Sequence, residues 1–167
     1  MRGMNALDRF NSADDTYARA VLEACVRIPR WVDAVLDGRP YAGVDDLVRR
    51  AAEKARTWTV DEVDAALADH PRIGDTPNAV SRTEQASVDT TDADLLARIS
   101  EGNRAYEARF GRIYLVRAAG RTGEDLLDLL DVRLANTPEA EQVVVRDQLT
   151  DIALLRLRTA LAEGDPA

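Results

Sequence analysis

His70, Arg156 and the pair Ser81 and Glu84 are the residues that an ordinary helical protein explains least. An imidazole titrates nearer neutrality than any other side chain, so one aimed at a substrate can give or take a proton. The residues after it, Pro71-Arg-Ile-Gly74, predict a helix that stops at a stiff corner from which a side chain can point into a cleft. The plain alternative is a surface histidine at a helix C-terminus, where the helix dipole favours it. Arg156 is singled out by spacing. Val145, Leu149, Ile152, Arg156 and Ala160 recur at helical intervals, which puts a guanidinium in the stripe that should face the core. Such a group either snorkels out or forms a structural ion pair, or it floors a pocket where its planar fork matches a carboxylate or a pair of carbonyls. Arg158 falls instead with Asp147 and Asp151 on a solvated charged face. Ser81-Arg-Thr-Glu84 has the spacing of a helix capping box, and Glu84 can equally accept N–H groups from a urea-like or hydantoin-like ligand. A hydrolase triad drawn from Ser81, His70 and an acid lacks the Gly-x-Ser-x-Gly turn, and no glycine-rich nucleotide loop occurs.

The elements that must hold these residues read as helices almost throughout. Ser12 is expected to cap a helix with Asp14 and Asp15 in its first turn and Val21, Leu22 and Cys25 near its end. Pro29 suits the first turn of a short helix through Trp31, Val32, Val35 and Leu36, ended by Gly38 and Pro40. Val44 to Arg56 follows the amphipathic helical template. Thr59-Val-Asp-Glu62 reads as a capping box for the helix that ends near His70. Arg72 to Asn78 reads as a loop, and the polar stretch Ser81 to Thr91 has room for one short helix. Thr91 is expected to cap a long helix through Leu95, Ile99, Tyr106 and Phe110, closed by Gly111. Ile113 to Gly120 has a strand's composition but nothing to pair with, so it reads as an extended loop. Helices follow over Gly123–Ala135 and from Pro138 to about Ala162, with Thr137 as the second cap. Trp31, Tyr41, Tyr106 and Phe110 read as core. The expectation is an all-α single domain over residues 1–167, with about seven to nine helices and one extended segment near 113–120.

Composition narrows the function classes. The chain of 167 residues is 46% hydrophobic and 31% charged, the profile of one globular domain. A domain this long buries roughly 70% of its extended surface, enough to fold without disulfides or a structural metal. Thirty acidic against 22 basic residues give a net charge of -8, which repels phosphate backbones and anionic lipid and argues against nucleic acid or membrane as partners. One cysteine and one histidine exclude a disulfide framework and the usual zinc sites; counting leaves a carboxylate-only magnesium or calcium site open, but no calcium loop or cofactor motif appears, and the expectation is no metal and no cofactor. The first ten residues lack a signal peptide's apolar core, no uncharged run is long enough to span a bilayer, and the end is not of the peroxisomal type. A cytoplasmic protein is expected.

Taken in order, a set of short motifs runs along nearly the whole chain. It begins with Met4-Asn-Ala-Leu7, Arg30-Trp31 and Arg39-Pro40-Tyr41, and its strongest mark is His70-Pro-Arg-Ile-Gly-Asp75. Ser81-x-x-Glu84-Gln85, Asn103-x-x-Tyr106, Arg109-Phe110-Gly111 and Arg133-Leu-Ala-Asn136 before Glu139 and Glu141 follow, and Ile152-x-x-Leu155-Arg156-Leu157 closes it. This pattern resembles the 2-oxo-4-hydroxy-4-carboxy-5-ureidoimidazoline (OHCU) decarboxylases of urate breakdown. The resemblance implies an all-α, cofactor-free homodimer that converts OHCU to (S)-allantoin. It implies catalytic roles for His70, Glu84 and Arg156, with His70 as proton donor. It also implies substrate contacts from Pro71, Ser81 and Gln85 and from the backbone of Val116, Arg117, Ala118, Ala119 and Gly120. The stretch between His70 and Ser81 is shorter than in some members of that family. Two other readings stand beside it: a non-catalytic helical interaction module, and a cofactor-free lyase or amidohydrolase acting on a related ureido compound.

Overall fold

Apolar residues at helical spacing, punctuated by capping side chains, set the architecture seen in a computed structural model, which describes residues 3–74, 79–89 and 91–162. Nine α-helices and no strand occur among the described residues: α1 (Ala6–Ser12), α2 (Asp15–Cys25), α3 (Pro29–Leu36), α4 (Val44–Ala55), α5 (Val60–Leu67), α6 (Ala79–Glu84), α7 (Ala93–Phe110), α8 (Gly123–Leu134) and α9 (Pro138–Ala162). The all-α reading is borne out, and so is the extended segment, since Ile113 to Ala118 runs without regular structure.

The chain gathers into two compact units, one from the N-terminus to Ala66 together with Thr150 onward, the other from Leu67 to Leu149. In the first, α2, α3 and α4 pack in succession around Phe10, Leu22, Trp31, Val35, Leu47 and Ala51. Trp31 is buried yet polar at one edge, and its indole N–H donates to the Ala51 carbonyl at 2.9 Å. Arg39 ties the start of the unit together by donating to the Phe10 and Ala13 carbonyls, both at 2.9 Å, and to Asp15. In the second, α7 lies on α8 over a core that includes Ile73, Leu95, Ile99, Tyr106, Tyr114, Val116, Leu126 and Leu130. Trp31, Tyr41 and Tyr106 are core residues as expected, and Phe110 is partly buried against the second core.

Two caps shift by a residue or two from their expected places. Asp14, not Ser12, caps α2, its carboxylate accepting the Tyr17 amide at 3.0 Å. Ser12 ends α1, a short helix that the periodicity did not reveal, and its hydroxyl donates back to the Asp8 carbonyl. Likewise Asp92, not Thr91, caps α7 through the Leu95 amide at 3.0 Å, while the Thr91 hydroxyl donates to Asp89. In both places a carboxylate stands nearer the helix and is the stronger acceptor for an orphan N–H. Gly111 closes α7 as expected, at φ +72°, a conformation that a side chain disfavours. Thr122 and Asp125 form an additional capping box on α8, and Thr137 with Pro138 starts α9 as expected.

Candidate active site

The His70 corner is built from its own sequence. α5 opens with a reciprocal box: the Glu62 amide donates to the Thr59 hydroxyl at 3.1 Å and the Thr59 amide to the Glu62 carboxylate at 3.0 Å. The helix runs out because Pro71 disfavours helical backbone before it, and the His70 amide makes one last bond to the Leu67 carbonyl at 3.1 Å. His70 and Pro71 are half-buried. Ile73 then buries itself in the second core, and Gly74 turns the chain at φ +97°, a left-handed conformation open chiefly to glycine. An open groove of about 500 Å³ flanks this turn, walled by Arg72, Asn103, Arg104 and Glu107, with Arg72 Nε donating to Glu107 at 2.5 Å. Asp75 and the rest of the expected loop through Asn78 lie outside the described residues.

Ser81 and Glu84 both lie on α6, which begins at Ala79. Ser81 is therefore inside the helix and Glu84 at its end, so the pair does not stand at the helix start where a capping box belongs. The Ser81 side chain lies outside the described residues. Glu84 is half-buried, and Gln85, just beyond the helix, is 7% exposed. The structure brings Gln85 to the His70 loop, where its Oε1 accepts the Gly74 amide at 2.9 Å.

The extended segment has buried Val116 and Ala118, half-buried Arg117 and Ala119, and exposed Gly120 at a turn. Among its amides, that of Arg117 donates to Gln148 Oε1 at 2.9 Å, so this one is engaged within the fold. Behind the segment lies an ionic cluster whose structural role the sequence reasoning missed. Arg133 and Glu141 are 5% and 0% exposed and are joined by Arg133 Nε to Glu141 Oε1 at 2.7 Å. The Tyr106 hydroxyl donates to the same oxygen at 2.5 Å, and Asn136 Nδ2 to the other oxygen at 3.0 Å. Arg133 Nη1 reaches the Leu115 carbonyl at 2.6 Å, and the guanidinium lies over the Tyr106 and Tyr114 rings. Burial, reinforced by the Glu141 carboxylate, raises the Tyr106 phenol far above its ordinary range. Burial also pushes Tyr114 up to about 12, with the Arg133 charge opposing it.

Arg156 belongs to the first unit. It is half-buried, and its Nη1 donates to the Cys25 carbonyl at 3.4 Å. Ile152, Ala153, Leu157 and Leu161 are buried while Ala160 is exposed. The buried stripe thus runs beside Arg156 rather than through it, and the expectation for Ala160 is corrected. Arg158 is exposed and paired with Asp45 at 3.1 Å, as its charged face implied. Cys25 is buried, which pushes its thiol up to about 12 against the opposing charge of Arg156. Among the described residues no group of three His, Cys, Asp or Glu is placed to hold a metal ion.

The second unit therefore unites the His70 loop, Gln85, Asn103 and, through Tyr106, the extended segment. A signal for the missed residues was present: on α7 Asn103 interrupts the apolar stripe Ile99–Asn103–Tyr106, and on α8 Arg133 continues the stripe of Leu126 and Leu130.

This all-α scaffold fixes its single histidine at a corner and ties the neighbouring loops down with buried amides and an ion pair. The chain belongs to the OHCU decarboxylase family, whose family model matches residues 11–158. It is 30% identical over 166 residues to 2-oxo-4-hydroxy-4-carboxy-5-ureidoimidazoline decarboxylase of Amia calva, covering 95% of this chain and 92% of that one. It is also 33% identical over 101 residues to the uric acid degradation bifunctional protein TTL of Arabidopsis thaliana, covering 55% of this chain and 31% of that protein. The fold matches a crystal structure of OHCU decarboxylase in the presence of (S)-allantoin with a TM-score of 0.73 at 24% identity, over 90% of this chain and 99% of the other.

Proposed function

We propose that this protein decarboxylates OHCU to (S)-allantoin in urate breakdown without a cofactor, with His70 as the proton donor. The observation that carries the reading is the continuous family match over residues 11–158, which contains every predicted site residue. The substrate has a carboxylate on a ring carbon that also bears a hydroxyl. When the bond to the carboxylate breaks, carbon dioxide leaves and the electron pair passes into the ring's conjugated C=N–C=O system. A proton delivered to one face of the neighbouring, ureido-bearing carbon, while the hydroxyl gives up its own proton to become a carbonyl, then fixes the product's handedness. The substrate supplies its own electron sink, so the protein's task is orientation and proton delivery.

His70, at its corner after α5, is the group suited to deliver the proton. Glu84, at the end of α6, accepts ring or ureido N–H groups. Arg156 positions substrate oxygens, while Pro71, Ser81 and Gln85 shape and line the pocket. The backbone from Val116 to Gly120 supplies further contacts, apart from the Arg117 amide already given to Gln148. The same reading takes residues 1–167 as one domain of a cytoplasmic homodimer with no nucleic acid or membrane partner. Among the described residues no helix is long and apolar enough to cross a membrane.

The test generates OHCU in place from urate with the two upstream enzymes and follows the circular dichroism of the allantoin formed, for the wild type and His70→Ala. Rapid formation of chiral allantoin that is lost in the variant supports the reading. A folded wild type that neither speeds the reaction nor biases its handedness overturns it.

A further inference from the structure

The peptide unit between Ile73 and Gly74 is held from both sides. Its carbonyl accepts Asn103 Nδ2 at 3.0 Å, and its N–H donates to Gln85 Oε1 at 2.9 Å. Both amide side chains are more than nine-tenths buried, Asn103 at 6% and Gln85 at 7% exposure. They come from different stretches of chain, Asn103 from the middle of α7 and Gln85 from just beyond α6. Asn103 Oδ1 is buried with no hydrogen-bond partner among the described residues. Turning the amide over would set that oxygen against the Ile73 carbonyl, so the orientation is fixed by the donor's task. Leaving a buried acceptor bare is costly, which marks the Nδ2 contact as what the residue supplies.

We propose that Asn103 is a positioning residue for His70: with Gln85 it clamps the Ile73–Gly74 peptide plane and so fixes the corner that aims the imidazole. The inference rests on the reading of His70 as the proton donor. Only Pro71 and Arg72 separate His70 from the clamped unit, and Pro71 removes one backbone freedom between them. Gly74 at φ +97° and a buried Ile73 complete a short, stiff connection. A rotation of the clamped plane would therefore reach His70 almost undamped.

The experiment uses Asn103→Asp, which keeps the shape but replaces the donor with an acceptor, and Asn103→Leu, which removes all polarity. Both are measured in the coupled allantoin assay and by NMR of the imidazole, which is unambiguous because the chain has a single histidine. We expect kcat to fall about tenfold to a hundredfold, as for a small misplacement of a catalytic group, with KM moving less than about threefold. The wild type should give one sharp set of His70 imidazole signals that broadens or splits in either folded variant, whereas a merely structural asparagine would lower the melting temperature and leave those signals alone. A folded variant with unchanged imidazole signals and kcat within about twofold of wild type overturns the clamp. Should the wild type itself prove inactive on OHCU, the functional reading falls, and the imidazole signals alone still decide whether Asn103 holds the corner.

Discussion

Glu141→Gln tests whether the buried cluster behind the extended segment holds the second unit together. Glu141 is 0% exposed and accepts from Tyr106, Arg133 and Asn136, while Arg133 is 5% exposed and has no other carboxylate partner among the described residues. The substitution keeps size and shape but leaves the guanidinium without a counter-charge. It also turns one acceptor into a donor that faces another donor on either Arg133 or Asn136. Breaking a buried pair costs about 3–5 kcal/mol, against about 0–1 kcal/mol for an exposed one. For a domain of this length that corresponds to a fall in melting temperature of about 6–20 °C. Thermal and urea unfolding followed by far-UV circular dichroism would read it, with Arg133→Met, Glu141→Leu and the double variant Arg133→Met/Glu141→Leu alongside. The double variant should lose clearly less than the sum of its singles, because neither half leaves a bare charge. A loss below about 1 kcal/mol for Glu141→Gln, or strict additivity in the double variant, would refute the argument that these charges depend on each other inside the fold.

The remaining expectations are simpler. Arg158→Ala should retain activity and stability, since its partner Asp45 is 91% exposed, whereas Arg156→Ala should lose most of kcat/KM in the allantoin assay; equal losses would contradict the assignment to Arg156. The Cys25 thiol, held up to about 12 by burial, should react with a disulfide reagent at mildly alkaline pH only as fast as the chain unfolds. The associated stability is present below the ordinary thiol pKa and is lost as pH rises towards 12, so Cys25→Ala should blunt the alkaline loss of stability. The hydrogen bond from Arg30 depresses the Glu62 carboxyl most strongly, so its contribution is present above the ordinary glutamate range and is lost as pH falls through the depressed value. Glu62→Gln should therefore flatten the acid limb of a stability–pH curve and leave the alkaline limb unchanged.

Helix placement was legible because periodicity and punctuation agreed, as at Pro29, the first residue of α3, and Gly111 after α7. Caps were less so: where Ser12 and Asp14, or Thr91 and Asp92, compete within two residues, side-chain pattern alone does not say which adopts the extended backbone of a cap. The His70 corner was visible because Pro71 constrains its neighbour from the sequence alone. The residues that hold that corner were not. Asn103 is 30 positions from Ile73, and Tyr106 is 35 from Glu141, separations at which a single sequence carries no pairing signal. The buried ion pair was no more legible, because Arg133 and Glu141 are of types that rarely enter a core, and only the helical register of Arg133 with Leu126 and Leu130 marks it.

Leucines at these positions would pack a core more cheaply, so the polar choice must answer to something a leucine lacks. The segments around Ile73 and Leu115 enter the interior without helix or sheet partners, and their buried peptide groups need donors and acceptors from elsewhere. α7 supplies both from one face. Asn103 takes the Ile73 carbonyl, and one turn on, Tyr106 anchors Glu141, which orients Arg133 towards the Leu115 carbonyl. An apolar contact would have filled the space without fixing the direction of either peptide. A single rigid helix thus sets the histidine loop and the extended segment in one frame, and a substrate bound between them would meet groups already aimed.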